Sequence, residues 1–170
     1  MWNDTDTPLA LFITFRCRGT WLHGDERTSI DRHHNTYLAP RIAADQKWEA
    51  HNRKLLNGDP AHLNAECRHS IEKAIRETCK IRGWELYAFN IRTNHLHIVV
   101  AVYGKEPSLV LHALKANATR QMRSDGCWPY EYSPWADKGS NRRLWNEKHI
   151  DGAVNYVMVG QGDDLPDVDQ

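Results

Sequence analysis

Short apolar runs alternate with longer stretches of helical periodicity along the chain. Leu9 to Cys17 (LALFITFRC) is dense in apolar, β-branched and aromatic residues and predicts a strand, which Gly19 ends. Leu63, Cys67, Ile71, Ala74, Ile75 and Thr78 then recur at three- and four-residue steps. That stripe predicts a helix over 60–82, with Asp59 as N-cap, Pro60 at the first helical position and Gly83 as the stop. Trp84 to Ile91 (WELYAFNI) and His95 to Tyr103 (HLHIVVAVY) read as two more strands, joined by Arg92-Thr93-Asn94. Pro107 opens a second helix, Ser108 to Ser124, with Val110, Leu114, Asn117, Ala118 and Met122 along one side. Arg143 to Asn146 (RLWN) predicts a short edge strand, and a third helix runs from Ile150 to Val159 and stops at Gly160. From Thr20 to Gly58 the pattern weakens, with a break at Pro40 and a short helix expected from Arg41 to Leu55. Stretches that long without their own structure are often functional loops.

The order strand, helix, strand, strand, helix, short strand, helix predicts an α+β fold: a small antiparallel sheet with helices packed on one face, a ferredoxin-like or RRM-like sandwich. Residues 1–162 form one expected domain with a long insertion at about 20–58, and 163–170 form an acidic tail. The 170 residues are 41% apolar and 26% charged, which excludes whole-chain disorder, collagen and coiled coil. The longest apolar run, Ile98 to Tyr103, is far too short to span a bilayer. Met1-Trp2-Asn3-Asp4 lacks the basic and apolar regions of a secretion signal, so a cytoplasmic protein is expected. Cys17, Cys67, Cys79 and Cys127 are widely spaced with no CxxC pair, and read as reduced, buried or half-buried thiols.

Charge alters the picture of partners. The 22 basic and 22 acidic residues cancel, which argues against nucleic acid. However, Asp163, Asp164, Asp167 and Asp169 all lie in the last eight residues; without them the body carries 22 basic against 18 acidic, a net +4. Lys115 to Lys148 holds 7 basic and 4 acidic residues, a local +3. A modestly basic body is compatible with a DNA partner.

Candidate chemistry centres on His95-Leu96-His97. Side chains alternate along a strand, so both imidazoles point to one face, offset by about 6.5–7 Å, while Leu96, Ile98, Val100 and Val102 point to the other. Two histidines on a rigid strand suit a shared divalent ion. With 10 His in 170 residues the same triplet also arises by chance as a solvent-facing pair. Tyr156 lies on the last helix, in HIDGAVNYVMVGQG, where a tyrosine is ordinarily a packing residue. A third histidine at position 99 would make a histidine-triad nucleotide hydrolase, but that position is Val99.

Together, NHLHIVV and the later NYVMVGQG resemble the HUH single-tyrosine (Y1) transposases of the IS200/IS605 type, and more closely their REP-associated relatives. The resemblance extends from LFITFRCRG to about Gly162, and GTWLHGDERTSIDRHHN is similar to a stretch found in a subgroup of these proteins. It implies that His95 and His97 bind Mg²⁺ or Mn²⁺. It implies that Tyr156 attacks a phosphate of single-stranded or hairpin DNA and forms a 5′-phosphotyrosine intermediate, for DNA transposition or processing of hairpin repeats. Relatives occur as monomers and as homodimers, so the oligomeric state stays open.

The pattern departs from the family at one point. Many relatives carry a third ligand four residues after the tyrosine; here that position is Gly160, with Gln161 one further on. Five helical residues advance about 500°, well away from the tyrosine, so Gln161 reaches the ion only if Gly160 ends the helix and the chain turns back. His149, seven before Tyr156, returns to within about 20° of its direction and is the fallback ligand. Lys115, Arg120, Arg123, Arg142 and Arg143 are expected DNA phosphate contacts. Trp128, Tyr130, Tyr132 and Trp135 read either as a stacking surface for unpaired bases or as a local mini-core. The competing function is a catalytically silent single-stranded nucleic-acid-binding module of the same fold.

Overall fold

The computed structural model describes residues 7–19, 46, 47, 50, 60–163 and 165. Nearly all of the 20–58 insertion, the expected helix at Arg41 to Leu55 and most of the acidic tail lie outside the described residues. The described chain is an α+β fold: β1 Ala10–Arg16, α1 Ala65–Arg82, β2 Glu85–Ile91, β3 His95–Ala101, α2 Pro107–Ser124, β4 Ser140–Leu144 and α3 Glu147–Val159. The strands form one antiparallel sheet in the order β2-β3-β1-β4. No helix among the described residues is long and apolar enough to cross a membrane.

The sheet has two unlike sides. Leu11, Ile13 and Phe15 of β1 and Leu96, Ile98 and Val100 of β3 are fully buried beneath α1 and α2, against Ile71, Ile75, Val110, Leu114 and Met122. Burying one such large side chain contributes about 1.5–3 kcal/mol, so this side supplies most of the stability. A hydrogen bond of 3.0 Å from Asn117 Nδ2 to Thr78 Oγ1 ties the two helices. The other side carries small residues, Ala10, Ala88, Val99 and Ala101, and there α3 lays Ala153 and Val157 against the sheet.

Element boundaries differ from the expectations where tertiary hydrogen bonds compete. Pro60 does not open α1. The Ala61 N–H donates to Arg18 O (3.0 Å) and the Leu63 N–H to Thr93 O (2.7 Å), which spends those donors on the end of the sheet. Asn64 caps the helix instead, its Oδ1 accepting from the Cys67 N–H at 2.9 Å. Gly83 ends α1 in the left-handed region (φ 67°), as its lack of a side chain allows. β3 stops at Ala101 because Tyr103 and Gly104 both take positive φ, 50° and 85°. β4 lies at Ser140–Leu144 rather than Arg143 to Asn146, since Asn146 is used as the N-cap of α3, accepting from the His149 N–H at 2.9 Å. That cap starts α3 three residues before the expected Ile150.

Candidate active site on the α3 side of the sheet

The register places the site. On β3, His95 and His97 share the face of Val99 and Ala101, and β1 pairs Arg16 with His95, Thr14 with His97 and Phe12 with Val99. The two imidazoles lie with ring centroids 5.0 Å apart. Thr14 Oγ1 sits 2.7 Å from His97 Nδ1, and Asn94 Oδ1 sits 2.6 Å from His95 Nδ1. The Asn94 contact holds the His95 ring through Nδ1 and leaves Nε2 on the Gln161 side. His97 is 5% exposed, and its pKa is pushed down to about 4, first by burial and then by the neighbouring His95; a hydrogen bond with Gln161 opposes this. It is neutral at pH 7, the state in which an imidazole ligates metal.

The end of α3 completes the cluster. The Gly160 N–H donates to Tyr156 O at 2.9 Å and the helix stops there. A Cβ on Gly160 would lie 2.7 Å from Tyr156 O and 3.1 Å from Tyr156 Cδ2, so only glycine lets the chain turn this tightly over the tyrosine. The turn carries Gln161 back to the histidines. Its Nε2 donates to Tyr156 O (3.3 Å), which fixes the amide orientation and aims Oε1 at His95 Nε2, 3.4 Å away. The imidazole nitrogen and the carboxamide oxygen thus lie within hydrogen-bond reach of each other. Two imidazoles and a carboxamide oxygen are a mixed nitrogen and oxygen donor set of the kind that could hold a divalent cation. No cluster of three or more His, Cys, Asp or Glu that could hold a metal ion occurs among the described residues.

Tyr156 is 47% exposed and packs its ring against His97 (centroids 5.5 Å apart, 72° between planes) and Phe12 (5.9 Å, 76°). The helix is moored to the sheet by Asn90 Nδ2, which donates to Val157 O at 3.2 Å, and the segment after it by Arg92 Nη1, which donates to Asp163 O at 2.8 Å. Tyr156, His95, His97 and Gln161 thus meet within one polypeptide. His149 does not join them. It shares the tyrosine's direction but lies seven residues earlier, about 10 Å along the axis, exposed and beside the Asn146 cap.

The basic residues divide. Arg142 pairs with Phe12 and faces the site, whereas Arg143 pairs with Leu11, faces the opposite side and lies 3.9 Å from Glu106. Lys115, Arg120 and Arg123 are on α2, across the sheet from Tyr156. Lys115 is half-buried, donates to the carbonyls of Ala136 and Lys138, and has its pKa lowered to about 8, chiefly by burial. Arg123 donates to Tyr130 O and Glu131 O. Three of the five expected phosphate contacts, Lys115, Arg123 and Arg143, are therefore engaged within the protein. The expectation of buried or half-buried thiols matches all four: Cys17, Cys67 and Cys79 are buried, Cys127 is half-buried, and none is in a disulfide. Sequence reasoning overlooked Thr14 and Asn90, whose roles depend on register across strands. It treated Asn94 as a mere connector although it directly precedes His95.

The four-stranded antiparallel sheet thus carries a histidine pair on β3 and is faced by a helix that bears Tyr156. The IS200-like transposase family matches residues 58–150, more than half of the chain, and the protein belongs to that family. The matched region contains His95 and His97 and ends before Tyr156. Among solved structures the chain is similar to a REP-associated tyrosine transposase bound to a REP hairpin, at 14% identity over 94% of this chain and 71% of that one, with a TM-score of 0.47. No curated protein matches it. Family membership indicates a transposase-type function.

Proposed function

We propose that this protein is a metal-dependent endonuclease and strand transferase for single-stranded DNA, acting through a 5′-phosphotyrosine intermediate in transposition or in the processing of hairpin repeats. The observation that carries this reading is the meeting of Tyr156 with His97 at 5.5 Å while Gln161 turns back onto His95. Tyr156 Oη attacks the scissile phosphorus, the bond from phosphorus to the 3′ oxygen breaks, and the phenolic proton passes, in net terms, to the released 3′-hydroxyl. The phosphodiester is exchanged rather than hydrolysed, so an incoming 3′-hydroxyl reverses the step without ATP. His95, His97 and Gln161 would hold Mg²⁺ or Mn²⁺. Such an ion, when bound, supplies Lewis-acid stabilisation of charge on the phosphate oxygens. Thr14 and Asn94 keep the imidazoles oriented, and Phe12 braces a tyrosine that remains open to an approaching strand. One protomer holds every named group.

The test is denaturing electrophoresis of the chain incubated with hairpin-bearing single-stranded DNA and Mn²⁺. A covalent adduct is expected, with loss of at least about 10³-fold in Tyr156→Phe, the scale set by removing a covalent nucleophile. An adduct undiminished in that variant overturns the nucleophile assignment. Metal-independent binding with no cleavage of any strand would point to the silent binding module instead.

A further inference from the structure

The loop after α2 has an aromatic cluster whose inner half is core and whose outer half is not. Trp128 and Trp135 are buried. Trp128 Nε1 donates to Tyr132 O (3.0 Å), Trp135 Nε1 donates to Thr119 Oγ1 (2.9 Å), and Trp135 stands edge-on to Phe15. These contacts make the mini-core. Tyr130 differs: it is 49% exposed, stacked on Tyr132 with centroids 5.2 Å apart and planes within 17°, and braced by the edge of Trp128 at 4.8 Å. A ring held parallel to one neighbour and half open to solvent offers its second face. The platform is rigid before any ligand arrives, because Arg123 clasps the loop backbone to α2 at Tyr130 O and Glu131 O. Little side-chain entropy is lost when a planar group settles on such a surface.

Charge and position specify the planar group. The Arg18 guanidinium lies 4.4 Å from the centroid of Tyr132. An open groove beside the platform is lined by Ala116, Thr119, Arg120, Arg123, Glu131 and Ser133, two guanidinium groups against one carboxylate. An aromatic face with arginines alongside suits a base attached to a phosphate. The loop is also rooted at the histidine end of the sheet: the Arg18 N–H donates to Pro134 O (2.8 Å) and the Ala136 N–H to Arg16 O (2.9 Å), Arg16 being the residue opposite His95. The loop that carries Tyr130 is thereby anchored beside the strand end that bears His95.

We infer that Tyr130 is a stacking site for an unpaired base of the DNA substrate, with Arg120 contacting the adjacent phosphate. The inference rests on the proposal that the chain acts on single-stranded DNA. Its test is fluorescence-anisotropy titration of the whole chain with hairpin oligonucleotides that carry single-stranded flanks, in a series with one abasic position each. Tyr130→Ala is expected to weaken binding about 5- to 100-fold, the range for losing one base–aromatic stack, while Tyr130→Trp retains it. One abasic position should weaken the wild type by a like factor and leave Tyr130→Ala unaffected. Binding by Tyr130→Ala within about two-fold of wild type, or an abasic penalty that persists in full in the variant, overturns the stacking site. If that result comes with an intact Tyr156-dependent adduct, the proposed function stands and the stacking site alone falls. If the wild type binds no strand, both fall.

Discussion

The two sides of the sheet are built from the same strands and do opposite work. Beneath α1 and α2 the alternate residues are large and apolar: Leu11, Ile13, Phe15, Leu96, Ile98 and Val100, all at most 1% exposed. On the α3 side the intervening residues are small at one end, Ala10, Val99 and Ala101, and polar toward the other, where Thr14, His95 and His97 lie. One helix suffices to cover that thinner layer, and its final turn reaches past the apolar patch to bring Tyr156 and Gln161 over the histidines. Stability concentrated on one side leaves the other free to carry a buried neutral imidazole and a half-exposed tyrosine, groups that would be poor core material.

Three measurements break or sharpen this contrast. The largest effect is expected from Ile98→Ala, which removes a fully buried side chain next in sequence to His97 but on the opposite face. Urea unfolding should show a loss of about 2–5 kcal/mol. A loss below about 1 kcal/mol would mean that the α1/α2 side is not the stabilising one. The next effect is a dependence of stability on pH in the metal-free protein. His97 titrates at 6.5 in the unfolded chain and at about 4 when folded, so between these values the unfolded state binds more protons. The stability is fully present above pH 6.5 and declines as pH falls toward 4, by at most about 3 kcal/mol relative to His97→Gln. Wild type and variant changing in parallel across that window would contradict a buried neutral imidazole. The smallest effect separates two neighbours. Arg142→Ala should lower the slope of log affinity against log salt by about 1, because one phosphate contact is lost, whereas Arg143→Ala should leave it unchanged. Equal effects from both would show that the direction of a β4 side chain does not decide its contact with DNA.

The element order, the His95/His97 face and the stop at Gly160 were legible because each rests on local rules: alternation in a strand, three- and four-residue spacing in a helix, and the lack of a side chain at a helix end. The start of α1 was not legible. Asp59-Pro60 is a sound local signal, but the Ala61 and Leu63 N–H groups are drawn to Arg18 and Thr93, residues far away in sequence. The engagement of Lys115, Arg123 and Arg143 within the protein was not legible for a similar reason. Charge can be read residue by residue, but the carbonyls and carboxylate that engage these side chains are brought to them only by folding. Arg142 and Arg143 also show how one residue along a strand reverses the direction of a side chain.

The sequence alone determined which residue types were present to do chemistry and which face of β3 they shared, because a strand's two-residue period is a local property. Only the tertiary structure decided that Gln161 rather than His149 stands beside His95, that Thr14 backs His97, and that Tyr156 meets the histidines within one chain. Those facts depend on strand register and on a tight turn at Gly160, and both are set by contacts between segments that the linear order keeps apart.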